Sequence, residues 1–161
     1  MTITKYTAKD AANCLEIYNY YIENTTITFE EEKLTLKALS DRFEKIFAKY
    51  PFLTAKCDGK TVGYAYLDVF NQRSAYRYTA DLSIYLHKDV RGGGIGGKLL
   101  DAIEQAAREA GIKALISIVT GENAASMHFH EKHGFKKVGT LEEVGVKFGK
   151  TLDVVYFEKK L

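Results

Sequence analysis

The apolar positions change period along the chain, and each change marks an element. Thr2–Thr7 alternates like a short strand, and Ala8–Asn24 then carries Ala12, Leu15, Ile17, Tyr18 and Ile22 at helical spacing. Leu36, Leu39, Phe43, Ile46 and Phe47 repeat the helical pattern over Leu36–Tyr50, which must stop at Pro51. Phe52–Cys57 and Thr61–Phe70 flank Asp58-Gly59, a dipeptide favoured in tight hairpin turns. Thr79–Leu86 reads as a strand, followed by a glycine cluster and a helix over Gly97–Ala110 closed by Gly111. Lys113–Val119 is an apolar, β-branched strand, and Asn123–His133 is a short helix ending at Gly134. Two last strands fall near Phe135–Thr140 and Leu152–Glu158. The order β-α-α-β-β-β-α-β-α-β-β predicts an α/β sandwich around a mixed sheet.

The length of 161 residues predicts one domain over 1–161, large enough to bury a core without staples. Two cysteines, Cys14 and Cys57, are too few for a disulfide scaffold and suit a reduced, cytoplasmic protein. Lys and Arg number 23 against 21 acids, a balance without the basic surplus of a nucleic-acid binder. No apolar run approaches the ~20 residues of a membrane span, and the first residues lack a signal peptide's apolar core. The expected partners therefore exclude nucleic acid and membrane.

Candidate chemistry is densest where the Thr79–Leu86 strand runs into Arg91-Gly92-Gly93-Gly94-Ile95-Gly96-Gly97-Lys98. The first amides of a helix have no internal partners and sit at the positive end of its dipole. Glycines clear the side chains that would keep a phosphate away from them. Gly92, Gly94 and Gly97 satisfy G-x-G-x-x-G, but several elements come first, and the next strand ends at Val119-Thr120-Gly121 with no acid at its tip. Gly92 to Lys98 imitates a nucleoside-triphosphate loop, but Leu99 stands where Ser or Thr must bind magnesium. Arg91-Gly92-Gly93-Gly94-Ile95-Gly96 fits a third pattern without a defect. It resembles R-x-x-G-x-G, the pyrophosphate loop of the GNAT N-acetyltransferase superfamily, which holds coenzyme A.

The likeness extends along the chain. Asn123-Ala124-Ala125-Ser126 running into His133-Gly134-Phe135 is similar to the second GNAT signature. Val144-Gly145-Val146-Lys147-Phe148-Gly149-Lys150-Thr151-Leu152-Asp153-Val154 resembles the C-terminal signature of the phosphinothricin and methionine sulfoximine acetyltransferase branch. So do Asn24-Thr25-Thr26 with Phe29, and Arg73-Ser74-Ala75-Tyr76-Arg77-Tyr78-Thr79. The resemblance implies a GNAT fold with a mostly antiparallel central sheet and helices on both faces. It also implies acetyl-CoA as co-substrate and a homodimer. The implied reaction acetylates the α-amino group of a small amino acid or analogue.

By the same resemblance the cofactor contacts are Ile84, Tyr85, Leu86, the loop from Arg91 to Gly97, and Asn123, which equally suits a helix N-cap. The branch places a glutamate base where this chain has Asp81, one methylene shorter and open to a structural reading. His130 occupies the position of a thiol proton donor, although an ordinary core or surface histidine remains open. His128, His130, Glu131 and His133 do not make a metal site, because Gly134 breaks the H-E-x-x-H spacing. Arg73 corresponds to a carboxylate-binding arginine, or is a solvated loop charge, with Phe29 and Tyr76 as aromatic walls and Lys147 in the branch signature. Gln72 and Thr151 replace the branch's usual tryptophans, which reshapes the pocket. A non-catalytic acetyl-CoA-binding module, another small amine, and a protein N-terminus stand as the alternatives.

Overall fold

Alternation along one central strand fills both faces of the sheet. The computed structural model describes residues 1–90 and 92–161. Its strands are β1 (Thr2–Lys5), β2 (Phe52–Cys57), β3 (Lys60–Val69), β4 (Thr79–Leu86), β5 (Ala114–Thr120), β6 (Lys136–Lys147) and β7 (Lys150–Lys160). Its helices are α1 (Ala11–Asn24), α2 (Leu36–Phe47), α3 (Ile95–Glu109) and α4 (Ala124–Lys132). On β3, Tyr64 packs with Cys14 and Ile17 of α1 and with Leu39 and Phe43 of α2. Its neighbours Ala65 and Leu67 point the other way, toward Leu99, Leu100 and Ile103 of α3. The expected α/β layering, with helices on both faces, is the one observed.

The sheet runs β1-β2-β3-β4-β5-β7-β6, and among the described residues only β4 and β5 pair in parallel. That single parallel step is the α3 crossover, which places the glycine cluster at the C-terminal end of β4. Glu104 of α3 is 4% exposed and accepts a 2.6 Å hydrogen bond from Lys159 of β7, tying the crossover helix to the sheet. Arg108 lies 3.6 Å from the other Glu104 oxygen, so removing Lys159 would leave the buried carboxylate partly compensated, a loss of roughly 1–3 kcal/mol.

Several boundaries differ from the sequence expectation, three of them in ways that bear on packing or the site. A 3₁₀ turn, Ala8–Asp10, precedes α1, because the Asp10 carboxylate accepts from the Thr7 amide and hydroxyl, both at 2.9 Å. α3 begins at Ile95 and takes in Gly96 and Gly97. β6 runs to Lys147, well past Thr140, with a bulge between Leu141 and Gly145. Val138, Leu141, Val144 and Val146 of β6 are exposed, so the strand lacks the half-buried alternation that sequence reading looks for.

Candidate active site

A wedge between β4 and β5 organises the site. Thr79, Ala80 and Asp81 pair with Ala114, Leu115 and Ile116, and there the parallel ladder ends although both strands continue. Leu82–Leu86 consequently has no strand partner on its β5 side. A cavity of about 60 Å³ fills the gap, bordered by Ser83, Ile84, Tyr85, Ser117, Asn123 and His130. It adjoins a second cavity of about 270 Å³ lined by Tyr21, Ile84, Tyr85, Leu86, Gly96 and Phe129. The predicted contacts Ile84 and Tyr85 border both cavities and Leu86 the larger, apolar channel, along the edge of β4 that β5 no longer covers. Tyr21 donates a 2.7 Å hydrogen bond to the Leu86 carbonyl, which fixes the channel wall to α1.

The channel leads to the start of α3. Gly92, Gly93 and Gly94 have φ of +77°, +65° and +66°, where an L side chain is strained. Gly94 caps the helix with no side-chain hydrogen bond, and no acid lies in the first turn. Among the described residues no side chain caps the leading amides, an arrangement suited to an anion, with Lys98 one turn along. Gly96 and Gly97 serve packing as well. A Cβ on Gly96 would lie 3.3 Å from Phe129, and one on Gly97 2.9 Å from His133 Nε2, so α4 seats directly against this turn. These residues fit the pyrophosphate and pantetheine of a coenzyme A thioester. Arg91, also expected there, lies outside the described residues.

Asp81 marks the vertex of the wedge, and its side chain points to the α1–α2 face. Its cross-strand partner on β3 is Asp68. Burial, and then the Asp68 carboxylate, push the Asp81 carboxyl up to about 7, while the Leu82 amide opposes the shift. A carboxyl poised there can accept a proton near neutral pH.

His130 lies in the wedge wall, 3% exposed, between Phe135 and Phe157. Its Nδ1 donates to the Ser126 carbonyl at 2.7 Å, which leaves Nε2 to accept from the Ser117 hydroxyl at 2.8 Å. Burial lowers its proton affinity. Neutral His130 therefore has its one N–H committed to Ser126, so the proton expected for the thiolate is not free. Asn123 caps α4 by accepting from the Ser126 amide at 3.1 Å and also borders both cavities. Its two readings are compatible.

The residues expected at the substrate pocket fall into two groups. Phe29 lies over Gly145, where any Cβ would collide with its ring, and Lys147 donates a 2.8 Å hydrogen bond to the Thr28 carbonyl. Lys147 is 1% exposed, and burial lowers its proton affinity. The loop after α1 is thereby latched to the β6–β7 hairpin. Arg42 reinforces it with two hydrogen bonds to Glu30, at 2.6 and 3.0 Å. Arg73 and Tyr76 sit instead on the exposed loop before β4, with Tyr76 edge-on to Phe70. That loop adjoins the Asp81 end of β4, opposite the glycine end. Ile118, on a central strand, is 45% exposed, so the sheet face beside Asp81 is open.

Ser117, Ser126, Tyr21 and Asp68 were not singled out by sequence reading. A lone Ser or Tyr carries no spacing signal, and Asp68 meets Asp81 only through the β3–β4 register.

The profile of the acetyltransferase (GNAT) domain family matches residues 3–156. A methionine sulfoximine/methionine sulfone acetyltransferase of Salmonella typhimurium is 31% identical over 162 aligned residues, covering 100% of this chain and 95% of that protein. The crystal structure of a ribosomal-protein-alanine N-acetyltransferase from Brucella melitensis superposes with a TM-score of 0.96 at 36% identity, covering both chains fully (100% each). A phosphinothricin acetyltransferase of Sinorhizobium meliloti, solved with acetyl-CoA, superposes with a TM-score of 0.95 at 31% identity, covering 99% of this chain and 88% of that one.

Proposed function

The chain belongs to the GNAT family of acetyl-CoA-dependent N-acetyltransferases, and from that premise we propose that it acetylates the α-amino group of a small free amino acid or close analogue, of the methionine sulfoximine or phosphinothricin type. The observation that carries the reading is Asp81. It is a carboxyl whose proton affinity is raised by burial and by Asp68, in the last pair of the β4–β5 ladder and next in sequence to Leu82 and Ser83 of the wedge cavity.

In this reading the acetyl-CoA pyrophosphate rests on the amides of Gly92–Gly97, with Arg91 beside them, and Asn123 and the backbone of Ile84, Tyr85 and Leu86 flank the pantetheine. Asp81 takes one proton from the substrate ammonium, breaking N–H and forming O–H. The free amine then attacks the thioester carbon, where backbone donors of the splayed strand stabilise the oxyanion. The C–N bond forms, the C–S bond breaks, and the second nitrogen proton leaves with the thiolate as thiol. A thiolate is a fair leaving group near neutral pH, so His130 is needed to hold Ser117 and Ser126 in the wedge wall more than to supply a proton. Arg73 binds the substrate carboxylate, Phe29 and Tyr76 flank its side chain, and Lys147 fixes the Phe29 loop. A homodimer is the proposed assembly, and the exposed apolar row of β6 offers it a surface.

One observation favours a second reading, a peptide N-terminus as acceptor. The acceptor side is open, with a groove of about 710 Å³ along α2 that borders Asp68 and Gln72. A single screen separates the two: thiol release from acetyl-CoA with methionine sulfoximine, phosphinothricin, their amides, and alanine-led peptides. Preference for the free acids supports the proposal. Equal turnover of acids and amides, or faster turnover of peptides, would overturn it, and acetyl-CoA binding without turnover would favour a non-catalytic module.

A further inference from the structure

The β3–β4 ladder sets two carboxylates directly opposite each other, Asp68 and Asp81, on the face that carries the acceptor. Residues so paired have Cβ atoms about 5 Å apart, and like charges there destabilise a sheet. Among the described residues neither carboxyl forms an ion pair. From α2 and the turn after it, Asp41, Arg42, Lys45 and Lys49 border the same groove as Asp68, and Arg42 is held by both oxygens of Glu30. On the sheet itself the groups beside the pair are uncharged: Tyr66 from β3, Tyr85 from β4 and Ile116 from β5. One strand beyond, Glu158 of β7 pairs with Lys160. Asp68 is itself fixed, since one of its oxygens accepts from the Val69 amide at 2.7 Å. Asp68 also borders the 710 Å³ groove along α2.

We propose that Asp68 is a positioning residue for Asp81, a second carboxylate fixed across the ladder that makes Asp81 a strong enough base to take the acceptor's proton. The inference rests on the reading of Asp81 as the base. Asp68 touches neither substrate nor cofactor and acts through the field it imposes on Asp81. The direction agrees with the raised proton affinity of Asp81, in which Asp68 is the second cause after burial. A structural role would predict the reverse of this arrangement, because Asn or Thr at position 68 would remove the repulsion and keep the amide contact.

The experiment follows kcat/KM against pH in wild type, Asp68→Asn, Asp68→Glu and Asp81→Asn, with the Asp81 carboxyl titrated directly by carbon NMR. Asp68→Asn should move the acid limb down by about 0.5–1 pH unit, with the NMR midpoint of Asp81 falling by the same amount. Asp68→Glu, which restores the charge, should return both toward wild type. An Asp81 midpoint unchanged in Asp68→Asn would overturn the proposal, even if turnover fell. The base assignment is tested separately, since an acid limb that survives in Asp81→Asn would refute it whatever Asp68 does to the NMR titration.

Discussion

Replacing Asp81 with Asn should make the protein more stable while disabling it, and the size of the gain follows from the site. The Asp81 carboxyl moves from 3.8 in a free chain to about 7 in the fold. At ~1.4 kcal/mol per pH unit this sets a ceiling of about 4 kcal/mol on the penalty for its ionised form. Asp81 is only half-buried, so water screens much of that field, and a net of about 1–2 kcal/mol is the working figure. Because the folded state binds the proton more tightly than the unfolded chain, the contribution of Asp81 to stability is fully present below pH 3.8 and is lost as the pH rises through about 7. Asn stays neutral throughout. Urea unfolding at pH 9 should therefore show Asp81→Asn more stable than wild type, equivalent to a Tm rise of about 2–8 °C for a chain of this size. At pH 3.5, below the unfolded value of 3.8, the gap should close to a few tenths of a kcal/mol. Acetyl transfer at pH 7.5 should fall by roughly 10²-fold or more. A stability difference independent of pH would refute the argument, because it would mean that Asp81 is no more costly to ionise in the fold than outside it.

Gly94→Val forces a branched side chain into a left-handed position at the mouth of the anion site. Calorimetry should show acetyl-CoA affinity reduced at least ~10-fold, with a stability loss of about 1–3 kcal/mol from the strain. His130→Ala should lower kcat by less than Asp81→Asn does, and unchanged kcat with a large Tm loss would place His130 in the core alone. Arg73→Ala should raise KM for carboxylate-bearing amines more than for their amides, because only the acids lose an ion pair; equal effects on both would remove Arg73 from substrate binding. Lys147→Met keeps the stem but loses the 2.8 Å bond to Thr28. It should raise KM with little change in acetyl-CoA affinity, as read by initial rates and calorimetry.

Periodicity determined the elements and their order, because an apolar stripe at helical spacing or an alternating strand is a local property of the chain. The glycine run was equally legible, since only a glycine cluster places three consecutive residues at positive φ before a helix. The identity of Asp81 as a candidate base came through resemblance, not from its own context. Tertiary structure decided the rest. The wedge exists because β4 and β5 part after Asp81 and Ile116, and no side-chain pattern encodes where a ladder stops. The committed proton of His130 depends on Ser117 from β5 as well as Ser126 from its own helix. Arg73 and Lys147, 74 positions apart in the chain, took their places from the loop before β4 and from the end of β6. Asp68 gained its meaning from register alone: a one-residue slip of β3 against β4 would turn it to the other face, away from the carboxyl it now opposes.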